Sequence, residues 1–211
     1  MEKIMKHMRK ALSLLLVLAM VVCFAVPAFA ADTDTATVTV YVTRGMFTEG
    51  GYDPDHGTFL EQEFRDGESL DTHLFNGFEA VPLDGVTIAA LFDTIRPVYG
   101  QEANYSENVN VLDAIICALQ ANGFDCNGGW DSVSNPNGGY VYSVTPGGIP
   151  TSGMTTENIN GVKYNKYYGT GWRIAIGQNG VFTAPALYGT SYNIEDGMTI
   201  VCDLSDYVIY E

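Results

Sequence analysis

The side chains in this chain best suited to binding chemistry are aromatic. The 211 residues include 2 tryptophans and 13 tyrosines. Aromatic rings bury large apolar areas and can keep a polar edge exposed, so they recur at recognition surfaces. We predict a ligand-binding surface made of Trp130, Tyr142, Tyr168, Trp172, Gln178, Tyr188 and Tyr192. The competing interpretation of Trp172 is a core or edge tryptophan that packs on Leu112 and Ile116.

Patterns that carry catalysis are missing from the sequence. His56 and His73 are the histidines outside the first thirty residues, and neither lies beside a nucleophile motif. There is no G-x-S-x-G, no H-E-x-x-H and no phosphate loop. The sequence therefore predicts a protein that is not an enzyme. The paired carboxylates of a glycosidase are a spatial pattern, so that class of enzyme stays open.

One short segment resembles a calcium loop. Asp53 and Asp55 alternate with other residues before Gly57. The spacing departs from an EF-hand, because the glycine comes one residue early and Phe64 occupies the twelfth position. Asp53 and Asp55 are therefore weak calcium candidates, and a solvated turn is the alternative.

The N-terminus carries the features of an export signal. Basic residues precede an apolar run, and Ala28-Phe29-Ala30 fits a cleavage site. We predict a signal peptide over residues 1–30 and a flexible leader over 31–36. An uncleaved anchor is the alternative interpretation. The expected location is secreted, or noncovalently associated with the cell surface, with no membrane span after cleavage.

The charge of the chain narrows the possible partners, and its cysteines offer one candidate disulfide. The formal net charge is −15, which disfavours nucleic acids and anionic membranes as partners. Disulfides can form in an exported protein. Cys126, in a predicted loop, and Cys202, in a predicted strand, are the disulfide candidate, whereas Cys117 fits a helical core pattern.

Hydrophobic periodicity predicts the elements that must position these residues. Two helices are expected, over residues 87–95 and 111–122, with Asn108 or Asn110 as the cap of the second and Asp113 in its first turn. Long loops are expected over 126–139 and 146–166, and loops of such length usually bind or cover something. Strands are expected over 37–43, 58–64, 140–145, 172–176 and 198–204.

The order of these elements resembles a known family. The matching segments are TVTVYV (Thr37 to Val42), NVLDAIICAL (Asn110 to Leu119), GGYVYSV (Gly138 to Val144), GTGWRIAIGQNG (Gly169 to Gly180) and YNIEDGMTIVCDL (Tyr192 to Leu204). They are similar to a secreted bacterial domain-of-unknown-function family related to the C-terminal domain of transcobalamin and intrinsic factor. Met198 departs from the family, which usually has a second acidic residue after the glycine.

This resemblance implies both a fold and a class of ligand. The fold would be α+β, with a β-grasp-like mixed sheet of about five strands packed on one main helix. A single domain would span 37–211, and residues 66–100 would be an inserted helical segment. The implied ligand is a corrinoid such as cobalamin, bound by an exported, non-catalytic module. The alternative is a cell-surface interaction or adhesion protein that binds proteins or glycans.

Overall fold

A mixed β-sheet organises the fold. The computed structural model describes residues 35–100, 107–131, 135, 138–185 and 188–211, so the predicted signal peptide and most of the leader lie outside the described residues. Five strands lie side by side in the order β4-β1-β10-β8-β7, and β9 also pairs with β8. Their bounds are β1 Thr37–Arg44, β4 Val81–Asp84, β7 Thr151–Ile159, β8 Val162–Gln178, β9 Val181–Thr183 and β10 Thr199–Tyr210.

The sheet topology is β-grasp-like. Strands β1 and β10 are parallel neighbours in the middle, whereas β4 is antiparallel to β1 and β8 is antiparallel to β10. One main helix, α3 (Val111–Ala121), packs on one face of the sheet. The predicted α+β class, with a mixed sheet of about five strands on one main helix, is confirmed.

Helix α3 is buried on every side over most of its length. All residues from Val111 to Leu119 are buried, which is typical of a helix enclosed by a core rather than lying on a surface. The Asn110 side chain accepts from the Asp113 amide, and Asp113 accepts from the Asn110 amide, each at 3.0 Å. This capping box fixes the start of the helix at the predicted place.

The segment predicted as an insertion is part of the core. It contributes β4 and two short helices, α1 (Gly85–Ala89) and α2 (Phe92–Ile95), where a single helix was predicted. The break falls at Leu91, whose φ of −105° and ψ of 7° are not helical. Ile88 and Ile95 are fully buried, so this segment completes the hydrophobic core beside α3.

Both long loops predicted from the sequence contain strands. In the first, β5 (Asp125–Trp130) pairs with β6 (Gly139–Thr145). In the second, β7 forms a hairpin with the first half of β8. The predicted strand over 58–64 is shorter than expected: β3 (Thr58–Leu60) pairs with β2 (Gly51–Asp53). The leader also ends earlier, because Ala36 is buried and accepts a hydrogen bond from the Gly85 amide.

A buried ion pair joins the segment 66–100 to α3. Asp113 is fully buried, and its two carboxylate oxygens accept from Arg96 Nε at 3.2 Å and Nη2 at 3.0 Å. The Tyr99 hydroxyl also donates to Asp113. Burial and the Asp113 carboxylate raise the pKa of Tyr99, so the phenol stays protonated as a donor. Removing either charge of such a pair would leave the other buried without its counter-ion.

We expect Asp113→Asn to destabilise the protein by roughly 3–5 kcal/mol, because the buried Arg96 guanidinium would lose its ion pair with the Asp113 carboxylate. The measurement is urea unfolding followed by circular dichroism. Asp93→Asn is the matched control, since Asp93 is exposed on the neighbouring short helix and should change stability by less than about 0.5 kcal/mol. Equal unfolding midpoints for the two variants would contradict a structural role for the pair.

Candidate functional site

The outer edge of β8 has a gap in its strand pairing. Strand β7 pairs with Val162 to Thr170, and β9 pairs with Ile176 to Gln178. On the opposite side, β10 pairs with β8 without interruption from Lys166 to Gly177. Among the described residues, no strand pairs with the outer edge from Gly171 to Ala175. We call this stretch the edge gap.

Main-chain groups of two residues point into the edge gap. The turns Asn160-Gly161 and Asn179-Gly180 have positive φ at both residues, as in two-residue hairpin loops whose flanking residues form a hydrogen-bonded pair. Val162 and Gln178 therefore direct their N–H and C=O groups towards β7 and β9. Because this direction alternates along an antiparallel strand, Trp172 and Ile174 direct theirs into the gap.

A cleft of about 360 Å³ lies beside the edge gap. Gly171 to Ile174 form one wall, and aromatic and apolar side chains from four other parts of the chain complete it. We call this cavity the edge cleft. Its lining residues outside β8 are Phe47, Tyr140, Ala184, Pro185, Tyr188, Gly189, Tyr207 and Ile209. Such a lining provides apolar contact area with a few polar edges, as ligand-binding sites do.

Trp172 is held rigidly at the cleft. Its indole Nε1 donates to the Gly148 carbonyl at 3.0 Å, and its ring meets Phe75 edge-on with centroids 5.4 Å apart. The residue is half-buried and packs against the main core. Trp172 therefore packs against the core and also lines the cleft.

Two tyrosines form the opposite side of the cleft. Tyr140 on β6 and Tyr188 lie with ring centroids 6.0 Å apart. Partial burial and the neighbouring Asp131 raise the pKa of Tyr188, which keeps its hydroxyl protonated. The Tyr140 ring lies across Gly129 on β5, where a Cβ would come within 2.6 Å of the ring. A side chain at that position would displace Tyr140.

Arg173 supplies the charge of the cleft. Its side chain is on the sheet face opposite to Trp172, because neighbouring residues in a strand point to opposite faces. Among the described lining residues it is the only one with a formal charge. It is exposed, its guanidinium carbon lies 5.9 Å from the Phe47 ring centroid, and no ion pair to it occurs in the described part of the chain.

Of the predicted binding residues, only Trp172 and Tyr188 line the edge cleft. Trp130 is half-buried, stacks on Tyr99 with centroids 6.0 Å apart and donates from Nε1 to the Asn135 carbonyl. Tyr142 is 59% exposed on β6, outside the cleft. Tyr168 lies over Gly153 on β7.

The two remaining predictions are also outside the cleft. Gln178 donates to Glu195 at 3.4 Å at the end of β8. Tyr192 packs against the main core, and its carbonyl accepts from the Val111 amide at 2.8 Å. The structure thus does not bring the seven predicted residues together into one surface.

Sequence reasoning missed Tyr140, Arg173 and Tyr207 as site residues. Arg173 follows Trp172 directly, and Tyr207 lies in the aromatic C-terminal run, so each had a local signal. The pairing of β8 with β10 brings Arg173 and Tyr207 to the same part of the sheet. Arg173 lies opposite Asp203, and Tyr207 lies opposite Gly169. That pairing brings together residues distant in sequence.

The calcium candidates Asp53 and Asp55 do not form a metal cluster. The Asp53 carboxylate accepts from the amides of Asp55 at 2.9 Å and His56 at 3.3 Å, and it also contacts His56 Nδ1 at 2.6 Å. This contact with His56 lowers the pKa of Asp53. In the described ranges, no group of three or more potential ligand side chains could hold a metal ion. The residues that follow Asp53 in this turn, 54–57, are exposed.

The three cysteines within the described residues are free thiols in this structure. Cys117 and Cys202 are buried, Cys126 is partly buried, and the predicted Cys126–Cys202 bridge is not formed. Burial raises the pKa of Cys126 to about 12. Burial, followed by the nearby Cys126 and Asp203, raises the pKa of Cys202. Cys126 and Cys202 are therefore neighbours whose thiols stay protonated.

Comparisons with known proteins leave the geometry as the only guide to function. No family model, no curated protein and no solved structure matches this chain. The resemblance to the transcobalamin-related family therefore stays a prediction. Within the described residues, no helix has the length and apolar character that crossing a membrane requires.

We expect Cys126 and Cys202 to react with iodoacetamide at neutral pH roughly a hundredfold more slowly in the native protein than in urea, because the thiolate is the reactive form. Mass spectrometry of timed digests would give the rate at each cysteine. Fast native labelling at Cys126 would contradict the burial of its thiol. If Cys126 and Cys202 are labelled in urea only after a reductant is added, the predicted disulfide forms in solution.

Proposed function

We propose that this protein is an exported, non-catalytic interaction module that binds an extended segment of a partner protein in the edge cleft. The observation that carries the proposal is the edge gap, where Trp172 and Ile174 direct main-chain donors and acceptors towards a cleft lined with aromatic rings. A sheet edge of this kind can accept an additional strand from a partner.

The shape of the cleft supports an elongated ligand. The unpaired stretch lies between Thr170 and Ile176, which are about 20 Å apart in an extended strand. The chain leaves β9 through Ala184-Pro185, and Pro185 cannot donate a main-chain hydrogen bond, so β9 does not extend along the gap. A segment of a few residues in extended conformation would fit between the ends of β9 and β7.

The aromatic rings supply contact area at low entropic cost. Trp172 is fixed by its hydrogen bond to Gly148 and by Phe75, and Tyr140 and Tyr188 lie against each other. Rigid tryptophan and tyrosine side chains are the residues that most often dominate binding energy at interfaces. The cleft therefore needs little reorganisation before it binds.

A second candidate function is the binding of a corrinoid, which the family resemblance implies. The observation in its favour is the set of aromatic rings, on which a planar macrocycle could stack. A volume of about 360 Å³ is at the small end for ligand sites, so a macrocycle would be only partly enclosed. Gln178, one of the predicted binding residues, does not line the cleft.

We expect peptides selected from a randomised display library on the purified protein to bind in the edge cleft. Tyr188→Ala should weaken the selected peptides about tenfold, because aromatic anchors dominate such interfaces. Tyr142→Ala is the matched control, since Tyr142 is exposed outside the cleft, and it should leave affinity unchanged. Fluorescence anisotropy would measure the dissociation constants. A library without enriched peptides, or equal effects of both variants, would contradict the proposed function.

For the second candidate, Trp130→Phe leaves Trp172 as the only tryptophan, since the sequence contains 2. A corrinoid stacked in the cleft should quench this single fluorophore saturably during titration with cobalamin or cobinamide. Free N-acetyltryptophanamide measured in parallel corrects for light absorption by the corrinoid. Unchanged corrected fluorescence up to millimolar ligand would exclude corrinoid binding in the cleft and leave the interaction module standing.

A further inference from the structure

We propose that the edge gap selects a peptide segment with the pattern apolar–acidic–apolar, added to β8 as an antiparallel strand with the acidic residue opposite Arg173. This inference rests on the proposed function and specifies the chemistry of the partner. It is built from the direction of the main-chain groups, the alternation of side chains and the position of one cation.

The strand direction follows from the neighbours of the gap. Both β7 and β9 are antiparallel to β8, and they lie at the two ends of the same edge. A segment running antiparallel to β8 would therefore continue the line from the end of β9 towards the start of β7. The residues opposite Trp172 and Ile174 would exchange main-chain hydrogen bonds with them, whereas the residue opposite Arg173 would not.

The side-chain pattern follows from the same pairing. Directly opposed residues in an antiparallel pair point to the same face of the sheet. The two partner residues opposite Trp172 and Ile174 would share the face of these side chains, on which α3 and the cleft tyrosine Tyr188 lie. That environment is apolar and aromatic, so it favours apolar partner side chains.

The middle position has different surroundings. A partner residue opposite Arg173 points to the face where the guanidinium lies, and this is the only formal charge among the described cleft residues. The chain as a whole has a net charge of −15, so most of its surface repels a carboxylate. The Asp203 carboxylate opposite Arg173 on β10 is buried, accepts hydrogen bonds from Thr43, Met46 and Ser205, and forms no ion pair with Arg173 in the described part of the chain. Arg173 therefore marks the position in the gap at which an acidic side chain is stabilised, because a cross-strand pair of opposite charges is favourable.

The backbone part of the inference can be tested with N-methylated peptides. The probe is the strongest selected peptide with its central residues replaced by Ser-Val-Glu-Val-Ser. Its two ends are acetylated and amidated. N-methylation of either valine removes a hydrogen bond to Trp172 or Ile174 and should weaken binding roughly tenfold when both are changed. N-methylation of the glutamate is the matched control, because its N–H would point away from β8, and it should have little effect.

The role of the Arg173 charge is tested by changing the residue at position 173 of the protein and the residue opposite it in the peptide. Glutamine in place of the peptide glutamate should weaken binding about threefold in the wild-type protein and not at all in Arg173→Gln. Arg173→Glu should prefer a lysine at that peptide position. Arg44→Gln is the control, because Arg44 is exposed on β1 outside the cleft, and it should keep the preference for glutamate.

The outcomes separate this inference from the proposed function. Selected peptides that compete with one another in the cleft but tolerate N-methylated valines would overturn strand addition and leave the interaction module intact. Selected peptides without an acidic consensus, or an equal preference in Arg173→Gln, would overturn the role of Arg173. Failure to select any peptide would overturn the proposed function itself. Slower hydrogen exchange of the Trp172 and Ile174 amides on peptide binding would support both the proposed function and strand addition.

Discussion

The uninterrupted pairing of β8 with β10 is the interaction on which the rest of the structure depends. It joins Lys166–Gly177 to Thr199–Tyr210 residue by residue, with no change of register. Through β10 it connects the hairpin of β7 and β8 to the parallel strand β1, which opens the domain. On the other side of β8, strands β7 and β9 together are shorter than β8, and the stretch between them is the edge gap. Strand β8 is therefore held along one edge and open along part of the other.

The core on the helical face makes that edge rigid. Helix α3 is buried over most of its length, and the Asp113 carboxylate ties it to Arg96 and Tyr99 in the segment before it. Trp172 and Ile174 pack against this core from β8. The unpaired main-chain groups therefore belong to a strand that is fixed on its other side and on one face, and a rigid template of this kind lowers the entropic cost of binding a partner.

An open sheet edge is usually a hazard, because it can pair with other chains without selectivity. Here the edge gap is short, and β7 and β9 cover the edge on both sides of it. The strongly acidic chain disfavours association with copies of itself, while Arg173 offers a local attraction for a carboxylate. Length, flanking strands and charge together restrict which segments can enter, which is the requirement for selective rather than general strand addition.

The sequence by itself determined the elements whose patterns are local. Val38, Val40 and Val42 alternate with polar residues in β1 and are all buried, and an asparagine cap, Asn108 or Asn110, predicted where α3 begins. In β1, burial of one face leaves a clear two-residue period in the sequence, and in α3 the polar cap marks the start of the helix. The main helix followed from them, whereas the α+β class with a β-grasp-like sheet was implied by the family resemblance that the order of the elements carries.

Only the tertiary structure decided the site. Strands β5 and β7 read as loops because they are rich in glycine, asparagine and threonine and have mostly exposed or half-buried residues, so no apolar alternation marks them. Six of the seven predicted binding residues are aromatic, but the seven lie on separate surfaces, and of them Trp172 and Tyr188 alone meet in the cleft. The edge gap depends on where β7 begins and β9 ends along β8, and strand pairing between distant segments is set by the packed sheet rather than by any local pattern.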